Sequence, residues 1–252
     1  MPQALYKKLG MSKKDFKNKL VFLYKNNTQS EIAEVLGCNT TCIEDWFGKL
    51  NIPGRSPSEA QLRRNKRNVN ISNYEHNVLN GLMLSDLYIE ESPGQGRLSC
   101  CFKHLEFLNR IISELSCFSW LDPKYNKSAI SWHSKTKYYY ELKRLRNIWY
   151  NEDRIKIVPK DIIINKHTLK WWFLGDGMLR KYAIILCTDS FLESDTKWLC
   201  NKVREFGVRC NITPSGRLRV GGSESVDKFL NIIGPTDINC YNYKWDRERF
   251  YK

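Results

Sequence analysis

Apolar positions near the N-terminus recur at helical spacing and predict three helices. The first helix covers 17–27, and the two that follow it are joined by a tight turn. Thr28 and Glu31 form a capping box that opens the first helix of this pair, and Gly37 ends it. The second helix of the pair begins near Thr40. The apolar residues that define the three stripes are Leu20, Leu23, Tyr24, Ile32, Ala33, Leu36, Ile43, Trp46, Phe47 and Leu50.

An apolar helix occurs twice in the rest of the chain, and each copy ends in an aspartate. The segment LNGLMLSDL (79–87) has its counterpart in LKWWFLGDG (169–177). Each copy has an apolar body and a small residue, followed by Asp86 or Asp176. This duplication predicts a domain made of two related halves.

Short strands are predicted between these helices, which gives an α+β fold. The segments with strand character are 97–102, 129–132, 183–188 and 217–220. Between the N-terminal helices and the repeat, the stretch 55–72 is polar and basic, and its run RRNKR includes Arg63 and Arg64. A DNA-tracking arm and a solvated run of charge are equally compatible with that composition.

These patterns predict three parts. They are a helical domain over 1–54, a basic linker over 55–72, and a larger domain over 73–252 with halves at about 73–155 and 156–252.

The charge of the chain favours a polyanionic partner. Lys and Arg number 41 against 27 Asp and Glu, so the formal net charge is +14, and such a surface attracts nucleic acid. No apolar run is long enough for a membrane span and no signal-peptide pattern is present, so a cytoplasmic location is expected. The 9 cysteines include no C-x-x-C pair, which argues against structural zinc.

The paired aspartates are the strongest candidates for chemistry. A carboxylate at a helix C-terminus is unfavourable, because that end already carries partial negative charge. If the two helices pack through Ser85 and Gly175, Asp86 and Asp176 become neighbours, and their repulsion adds a second penalty. A divalent cation such as Mg²⁺ relieves both penalties and activates water for phosphodiester hydrolysis. The alternative is that each Asp ends a surface helix and has no chemical role, and the presence of the same pattern in two copies argues against it.

The repeated segments resemble the paired signature of LAGLIDADG homing endonucleases. The approach KIVPKDI (156–162) and the stretch CTDSF (187–191) are also similar to the monomeric, double-motif branch of that family. The resemblance implies a pseudo-twofold pair of αββαββα halves, with the two signature helices at the interface and a curved antiparallel sheet from each half in the DNA major groove. It covers nearly all of 74–252.

The same resemblance implies the active-site residues. Asp86 and Asp176, with Ser85 and Gly175 beside them, would hold two or three Mg²⁺ ions, and Lys135 would be a basic catalytic residue of the first half. At the matching position of the second half we place Glu224, with Lys228 or Arg219 as substitutes. Asp189 stands where the family often has Gln, and we assign it no role.

DNA contacts are implied in both domains. In the sheets the expected groove-facing residues are Tyr88, Arg97, Ser99, Lys103, Arg180, Tyr182, Arg217 and Arg219. The segment 28–53 is similar to DNA-binding helix-turn-helix domains of resolvases, sigma factors and phage proteins, which implies a recognition helix over 40–50. Its exposed residues would be Thr40, Thr41, Glu44, Asp45 and Lys49, with Arg55, Arg63 and Arg64 following in the linker.

The function implied is site-specific cleavage of double-stranded DNA by a Mg²⁺-dependent monomer. Its target would be long and asymmetric, and its products would carry short 3′ overhangs. Two alternatives stay open on the same fold: an intron maturase that binds RNA, and a transcription regulator that does not cleave. A phage or bacterial mobile element is the favoured source, and an organelle-encoded protein would have a similar sequence.

Overall fold

A computed structural model describes residues 5–55 and 69–250 of the chain. The chain divides into two compact units, Met1–Lys66 and Arg67–Lys252. Within the described ranges, no helix is long and apolar enough to cross a membrane.

The N-terminal unit is a small bundle of helices around an apolar core. Its elements are α1 (Leu5–Lys8), α2 (Lys13–Asn26), α3 (Gln29–Val35) and α4 (Thr40–Lys49). Thr28 and Glu31 make the reciprocal bonds of the predicted capping box, and Gly37 has a φ of 63° in the turn between α3 and α4, a conformation that favours glycine. The core is formed by Phe16, Leu20, Ile32, Ala33, Leu36, Ile43, Phe47, Leu50 and Ile52.

The larger unit contains two halves with the same order of elements. The first half has α5 (Asn73–Met83), β1 (Tyr88–Ser92), β2 (Gln95–Phe102), α6 (Leu105–Glu114), β3 (Lys124–Asn126), β4 (Ser131–Lys135) and α7 (Tyr140–Trp149). The second half has α8 (Lys166–Asp176), β5 (Gly177–Arg180), β6 (Ala183–Leu186), α9 (Glu193–Arg204), β7 (Cys210–Ile212), β8 (Leu218–Gly221) and α10 (Ser223–Ile233), followed by 3₁₀ turns at Asn239–Lys244 and Glu248–Phe250.

Each half builds one antiparallel sheet with an identical strand order. The orders are β1-β2-β4-β3 and β5-β6-β8-β7, so the mixed fold with two antiparallel sheets agrees with the sequence prediction. The predicted strand over 129–132 lies at 131–135 instead, because Ser128 and Ala129 belong to a turn held by the side chain of Asn126. The short strands β1, β3, β5 and β7 were not predicted.

The core of this unit is continuous across both halves. The helices α5 and α8 lie in it side by side, and α8 buries a run of apolar residues from Leu169 to Leu174. Ser72 and Glu75 form the capping box that starts α5, while Asn165 accepts bonds from the first amides of α8. The two helices therefore pack against each other and carry the aspartates at, or just beyond, their C-terminal ends.

Candidate active site at the crossing of the repeated helices

Glycine allows the two helices to approach closely at two levels. A methyl group on Gly81 would lie 2.5 Å from the carbonyl oxygen of Thr168 and 2.7 Å from Cβ of Trp171, and one on Gly175 would lie 2.2 Å from Oγ of Ser85. Neither position has room for a larger residue. Ser85 and Gly175 are thus in direct contact, as the sequence argument required for the aspartates to be neighbours.

The two aspartates follow this contact at the helix ends. Asp176 is the last residue of α8, whereas Asp86 lies three residues beyond the end of α5. Burial raises the pKa of Asp86, and repulsion from Asp176 raises it further, against the attraction of Lys156 and Lys244. Burial also raises the pKa of Asp176, although a hydrogen bond from Cys187 opposes this. The two aspartates therefore concentrate negative charge at one site, although Asp176 ends its helix and Asp86 lies beyond the end of its own.

Two lysines lie near this carboxylate pair, Lys156 half-buried and Lys244 buried, and each holds the end of one helix. The Nζ of Lys156 donates to the carbonyl oxygens of Met83, Ser85 and Leu87 at 2.7, 3.0 and 2.8 Å. Its pKa is lowered to about 8 by burial, against the opposing attraction of both aspartates.

Lys244 makes the corresponding contacts on α8. Its Nζ donates to the carbonyl oxygens of Phe173 at 3.0 Å and Leu174 at 2.6 Å, and the residue is 5% exposed. Burial lowers the pKa of Lys244 to about 8, again against the attraction of Asp176 and Asp86. Each helix C-terminus thus carries a cation that satisfies its free carbonyl groups.

The donor set at the crossing suits a hard divalent cation. Among the described residues no cluster of three or more His, Cys, Asp and Glu side chains is arranged for metal binding. Asp86 and Asp176 are therefore the two charged oxygen donors that protein side chains supply there. Mg²⁺ is commonly bound by one or two carboxylates and completes its octahedron with water and substrate phosphates.

The strand register identifies which basic residues are equivalent in the two halves. Ser99 pairs with Tyr88 on one side and Lys135 on the other. Ile185 pairs in the same way with Met178 and Arg219. Arg219 is therefore the counterpart of Lys135.

The prediction that Glu224 is the counterpart of Lys135 in the second half is wrong. Glu224 lies in the first turn of α10 beyond the end of β8, and its side chain is 90% exposed, 4.0 Å from Arg209. Gly222 alone separates β8 from α10, so the position equivalent to Lys135 lies within the strand and not in the helix that follows it.

The open face of the first sheet is organised around one carboxylate. Glu90 is 2.7 Å from Nζ of Lys135 and 2.5 Å from the guanidinium of Arg97. Burial alone would raise the pKa of Glu90, but the hydrogen bonds from Lys135 and Arg97 outweigh it, so its pKa lies below the usual value. Tyr88 and Lys103 are exposed, while Ser99 is buried at 2% exposure. Ser99 therefore offers little surface for contact with a ligand.

The corresponding face of the second sheet is lined by arginines. A groove of about 620 Å³ is bounded by Arg180, Tyr182, Arg217 and Arg219, with Ile185 at its floor. Arg217 forms an ion pair of 3.0 Å with Asp189. Asp189 lies three residues beyond the end of β6.

The N-terminal candidates divide between exposed residues and one that is engaged. Thr41, Glu44, Asp45 and Lys49 are exposed on α4, and Thr40 is half-buried. Arg55 instead lies back on its own unit. Its guanidinium is 3.7 Å from the ring centre of Tyr24, and Nη1 donates to the carbonyl oxygen of Asn27 at 2.9 Å. Arg63 and Arg64 lie outside the described residues.

Sequence reasoning missed Lys156 and Lys244 as members of the site. Lys156 lies in the segment KIVPKDI that leads to the second helix copy, 7 residues after the end of α7, and Lys244 lies 11 residues after the end of α10. A lysine at a similar distance after the last helix of each half is the sequence signal that could have identified them.

Comparisons with known proteins agree with this architecture. The model of the LAGLIDADG DNA endonuclease family matches residues 76–229. A relative from Methanocaldococcus jannaschii, the uncharacterized protein MJ1098, is 27% identical over 250 residues, covering 89% of this chain and 96% of its own length.

Solved structures with a similar fold include DNA complexes. The homing endonuclease I-WcaI bound to its DNA recognition sequence has a TM-score of 0.61 at 19% identity, covering 77% of this chain and 96% of its own. I-DmoI in complex with DNA and Mn has a TM-score of 0.44 at 16% identity, covering 66% of this chain and 99% of its own.

Proposed function

Since this chain belongs to the LAGLIDADG DNA endonuclease family, we propose that it cleaves both strands of a specific DNA target by Mg²⁺-dependent hydrolysis. Its target is long and asymmetric, its products have short 3′ overhangs, and the enzyme acts as a monomer with two halves. The same proposal includes that this enzyme is encoded by a mobile genetic element.

One observation carries this proposal: the contact between Ser85 and Gly175 makes Asp86 and Asp176 neighbours at the ends of the two repeated helices, with Lys135 and Arg219 at equivalent positions of the two sheets. Burial and mutual repulsion raise the pKa of Asp86. A divalent cation relieves that repulsion. When bound, Mg²⁺ supplies Lewis-acid stabilisation of the phosphate and activation of water.

The protein groups have separate roles in this proposal. The carboxylates of Asp86 and Asp176 hold the cation, while Ser85 and Gly175 bring the two helix ends into contact. Lys135 and Arg219, equivalent in strand register, stabilise negative charge on the phosphates, one in each half. The remaining basic residues of the sheets contact the DNA backbone and base edges.

The N-terminal unit extends the target on one side. Its helices α3 and α4 are joined by a short turn, and α4 exposes Thr41, Glu44, Asp45 and Lys49. Thr and Lys side chains contact phosphates or bases, and acidic side chains accept hydrogen bonds from the amino group of cytosine. We therefore assign this unit a helix-turn-helix role in DNA binding through the exposed side of α4. Because the unit is covalently joined to the larger one, its contacts raise the affinity of the whole protein for DNA through effective concentration.

A cleavage selection tests the function. Purified protein is incubated with a randomised duplex library in Mg²⁺, Ca²⁺ or a chelator, and cut ends are sequenced. Asp86→Asn and Asp176→Asn proteins are treated in parallel. One long motif with staggered 3′ ends, present in Mg²⁺ and absent with either variant, is the expected result.

Other outcomes distinguish the alternatives. Enrichment of a motif without cleavage would make the protein a DNA-binding regulator on a nuclease scaffold. No enrichment of DNA, together with tight binding of a structured intron RNA, would support the maturase. A motif that ends at the pseudo-twofold core would remove the N-terminal unit from recognition.

A further inference from the structure

We propose that Glu90 is a positioning residue that sets the order in which the two DNA strands are cut, because it holds Lys135 in an ion pair. The strand served by Lys135 is cut after the strand served by Arg219. Each of these strands is defined by experiment as the one whose cleavage slows when that basic residue is replaced by Ala. The inference rests on the proposed function, since it concerns the rates of the two cleavage steps.

The carboxylate of Glu90 binds basic groups of the open sheet face through both of its oxygens. Its Oε1 accepts a hydrogen bond from Nζ of Lys135 at 2.7 Å, and its Oε2 accepts one from Nε of Arg97 at 2.6 Å. The hydroxyl of Tyr88 donates to Oε1 at 3.3 Å. These three donors come from β1, β2 and β4, so the carboxylate that holds Lys135 is itself fixed from three strands.

The ion pair is partly shielded from water, which makes it more costly to open than a fully exposed pair. The side chains of Glu90 and Lys135 are 22% and 32% exposed, and the guanidinium of Arg97 lies 4.7 Å from the ring centre of Tyr138. Burial raises the pKa of Glu90, but the hydrogen bonds from Lys135 and Arg97 together lower it more. Glu90 is therefore ionised at neutral pH and retains its hold on Lys135.

The second half has an arginine where the first half has this carboxylate. The strand register that makes Lys135 equivalent to Arg219 also makes Glu90 equivalent to Arg180. Arg180 and Arg219 line the same groove, and neither takes part in an ion pair within residues 5–55 and 69–250. The basic group of the second half is therefore free to bind a phosphate, whereas that of the first half is already bound.

This difference gives the two cleavage steps different costs. The negative charge of Glu90 offsets the positive charge with which Lys135 stabilises a phosphate. The ion pair therefore has to open before the strand of the first half is cut, and no such step precedes cleavage by the second half. DNA that is nicked in one strand accumulates as a result.

Cleavage measured separately on each strand tests this order. The target found by the cleavage selection carries a different fluorophore on each strand and is saturated with protein in Mg²⁺, so that affinity does not affect the rates. We expect the wild type to cut the strand served by Lys135 about fivefold more slowly than the other strand. In Glu90→Gln this ratio should approach one. An unchanged ratio would overturn the inference, and so would further slowing of the same strand, because Glu90 would then help Lys135 to act.

The matched control is Glu91→Gln. Glu91 is the next residue of β1 and forms ion pairs with Lys143 and Arg146 of α7, so its removal breaks ion pairs of the same strand without releasing Lys135. The strand ratio should stay at the wild-type value, and Glu90→Asp, which keeps the charge, should retain part of the order. An effect of Glu91→Gln as large as that of Glu90→Gln would contradict a specific role of Glu90.

A second variant transfers the carboxylate to the other half. Arg180→Glu places an acidic side chain at the position equivalent to Glu90, in the groove that contains Arg219. It should slow the strand served by Arg219 about fivefold, while Arg180→Gln, which removes the arginine without adding an acid, should slow it less. This pair of variants tests the inference if Glu90→Gln does not fold. Equal slowing by the two variants would overturn it.

The reactivity of Lys135 without DNA tests the ion pair by itself. Each protein is treated with limiting acetic anhydride, and acetylation of Lys135 is followed by mass spectrometry relative to the exposed Lys137. We expect acetylation of Lys135 to be about threefold faster in Glu90→Gln, because the ammonium is no longer engaged. Equal rates would show that the pair does not form in solution and would overturn the inference.

Failure of this inference is distinct from failure of the proposed function. A wild-type protein that cuts both strands at equal rates would remain an endonuclease, and only the strand order would be lost. A wild-type protein that cuts neither strand would remove the proposed function and the strand order together.

Discussion

The two halves of the larger unit share a backbone plan but differ in the charge of their open faces. Strand order and register are the same, and Lys135 and Arg219 occupy equivalent positions. In the first half Glu90 binds Lys135 and Arg97. In the second half no equivalent carboxylate holds Arg219 among the described ion pairs. The two halves therefore share the geometry that places the aspartates, whereas the charge of their open faces differs.

The largest expected effect concerns the aspartates, where the two halves should behave alike. Asp86→Asn and Asp176→Asn should each lower the rate of double-strand cleavage by about a thousandfold or more, because each removes a charged metal ligand. Single-turnover cleavage with labelled strands measures this. Binding of the target in Ca²⁺ should be retained, and a variant that lost binding and cleavage together would contradict the assignment.

The next largest effect, on DNA binding, should differ between the two halves. Arg219→Ala is expected to weaken target binding about tenfold and to slow cleavage of one strand, while Lys135→Ala should weaken binding less, because Glu90 already neutralises part of its charge. The measurement is Kd as a function of salt concentration. Equal losses and equal salt slopes for the two variants would show that the ion pair to Glu90 opens in the complex.

The helix crossing allows a test by exchange of residues. Gly175→Ala places a methyl group against Ser85, and overpacking of this kind costs about 1–3 kcal/mol. Combining it with Ser85→Gly exchanges the small residue between the halves and should restore most of the Tm. If the double variant melts as low as Gly175→Ala, the clash lies elsewhere.

A smaller effect concerns stability without metal. Because the folded-state pKa of Asp86 is raised, its ionised form is less favourable in the folded protein than in the unfolded chain, and this cost applies at every pH above the folded pKa. Asp86→Asn should therefore raise Tm in a chelator, and only slightly, because Asp86 is partly exposed to solvent and water screens its charge. Addition of Mg²⁺ should stabilise the wild type more than the variant, and a lower Tm of the variant in the chelator would contradict the pKa argument.

The smallest effect is the pH dependence of the ion pairs around Glu90 in the first half. The lowered pKa of Glu90 means that its stabilisation is complete above the unfolded pKa of about 4.3 and is lost as pH falls through the folded value. The free energy of unfolding of wild type minus that of Glu90→Gln, about 1 kcal/mol at pH 7, should therefore shrink below about pH 5. Asp189→Asn, which breaks the ion pair of the second half, is the matched comparison.

Much of the framework was predictable from local patterns. The capping boxes at Thr28 and Ser72 set helix starts because their chemistry is contained within four residues. The repeated segment identified the central helices and the contact between Ser85 and Gly175. Family membership, mixed fold and antiparallel sheets were confirmed, while the Mg²⁺ dependence and the helix-turn-helix function stay predictions.

The remaining features depend on contacts distant in the sequence. Lys156 and Lys244 act on backbone carbonyl groups, which leave no mark on the residue type at the other end of the contact. Arg55 was expected to contact DNA as part of a basic linker, but the ring of Tyr24 and a carbonyl group hold its guanidinium. The short strand β3 contains only exposed residues, so it has no alternating pattern to predict it.

The pairing of Gly81 with Trp171 bears on the history of the chain. A dimer of two first halves would place glycine opposite glycine and leave a gap at the crossing, and a dimer of two second halves would force two tryptophans into the space that now holds one. Each half has become the specific complement of the other. A homodimer of either half alone would therefore pack less well at this crossing than the two halves pack against each other.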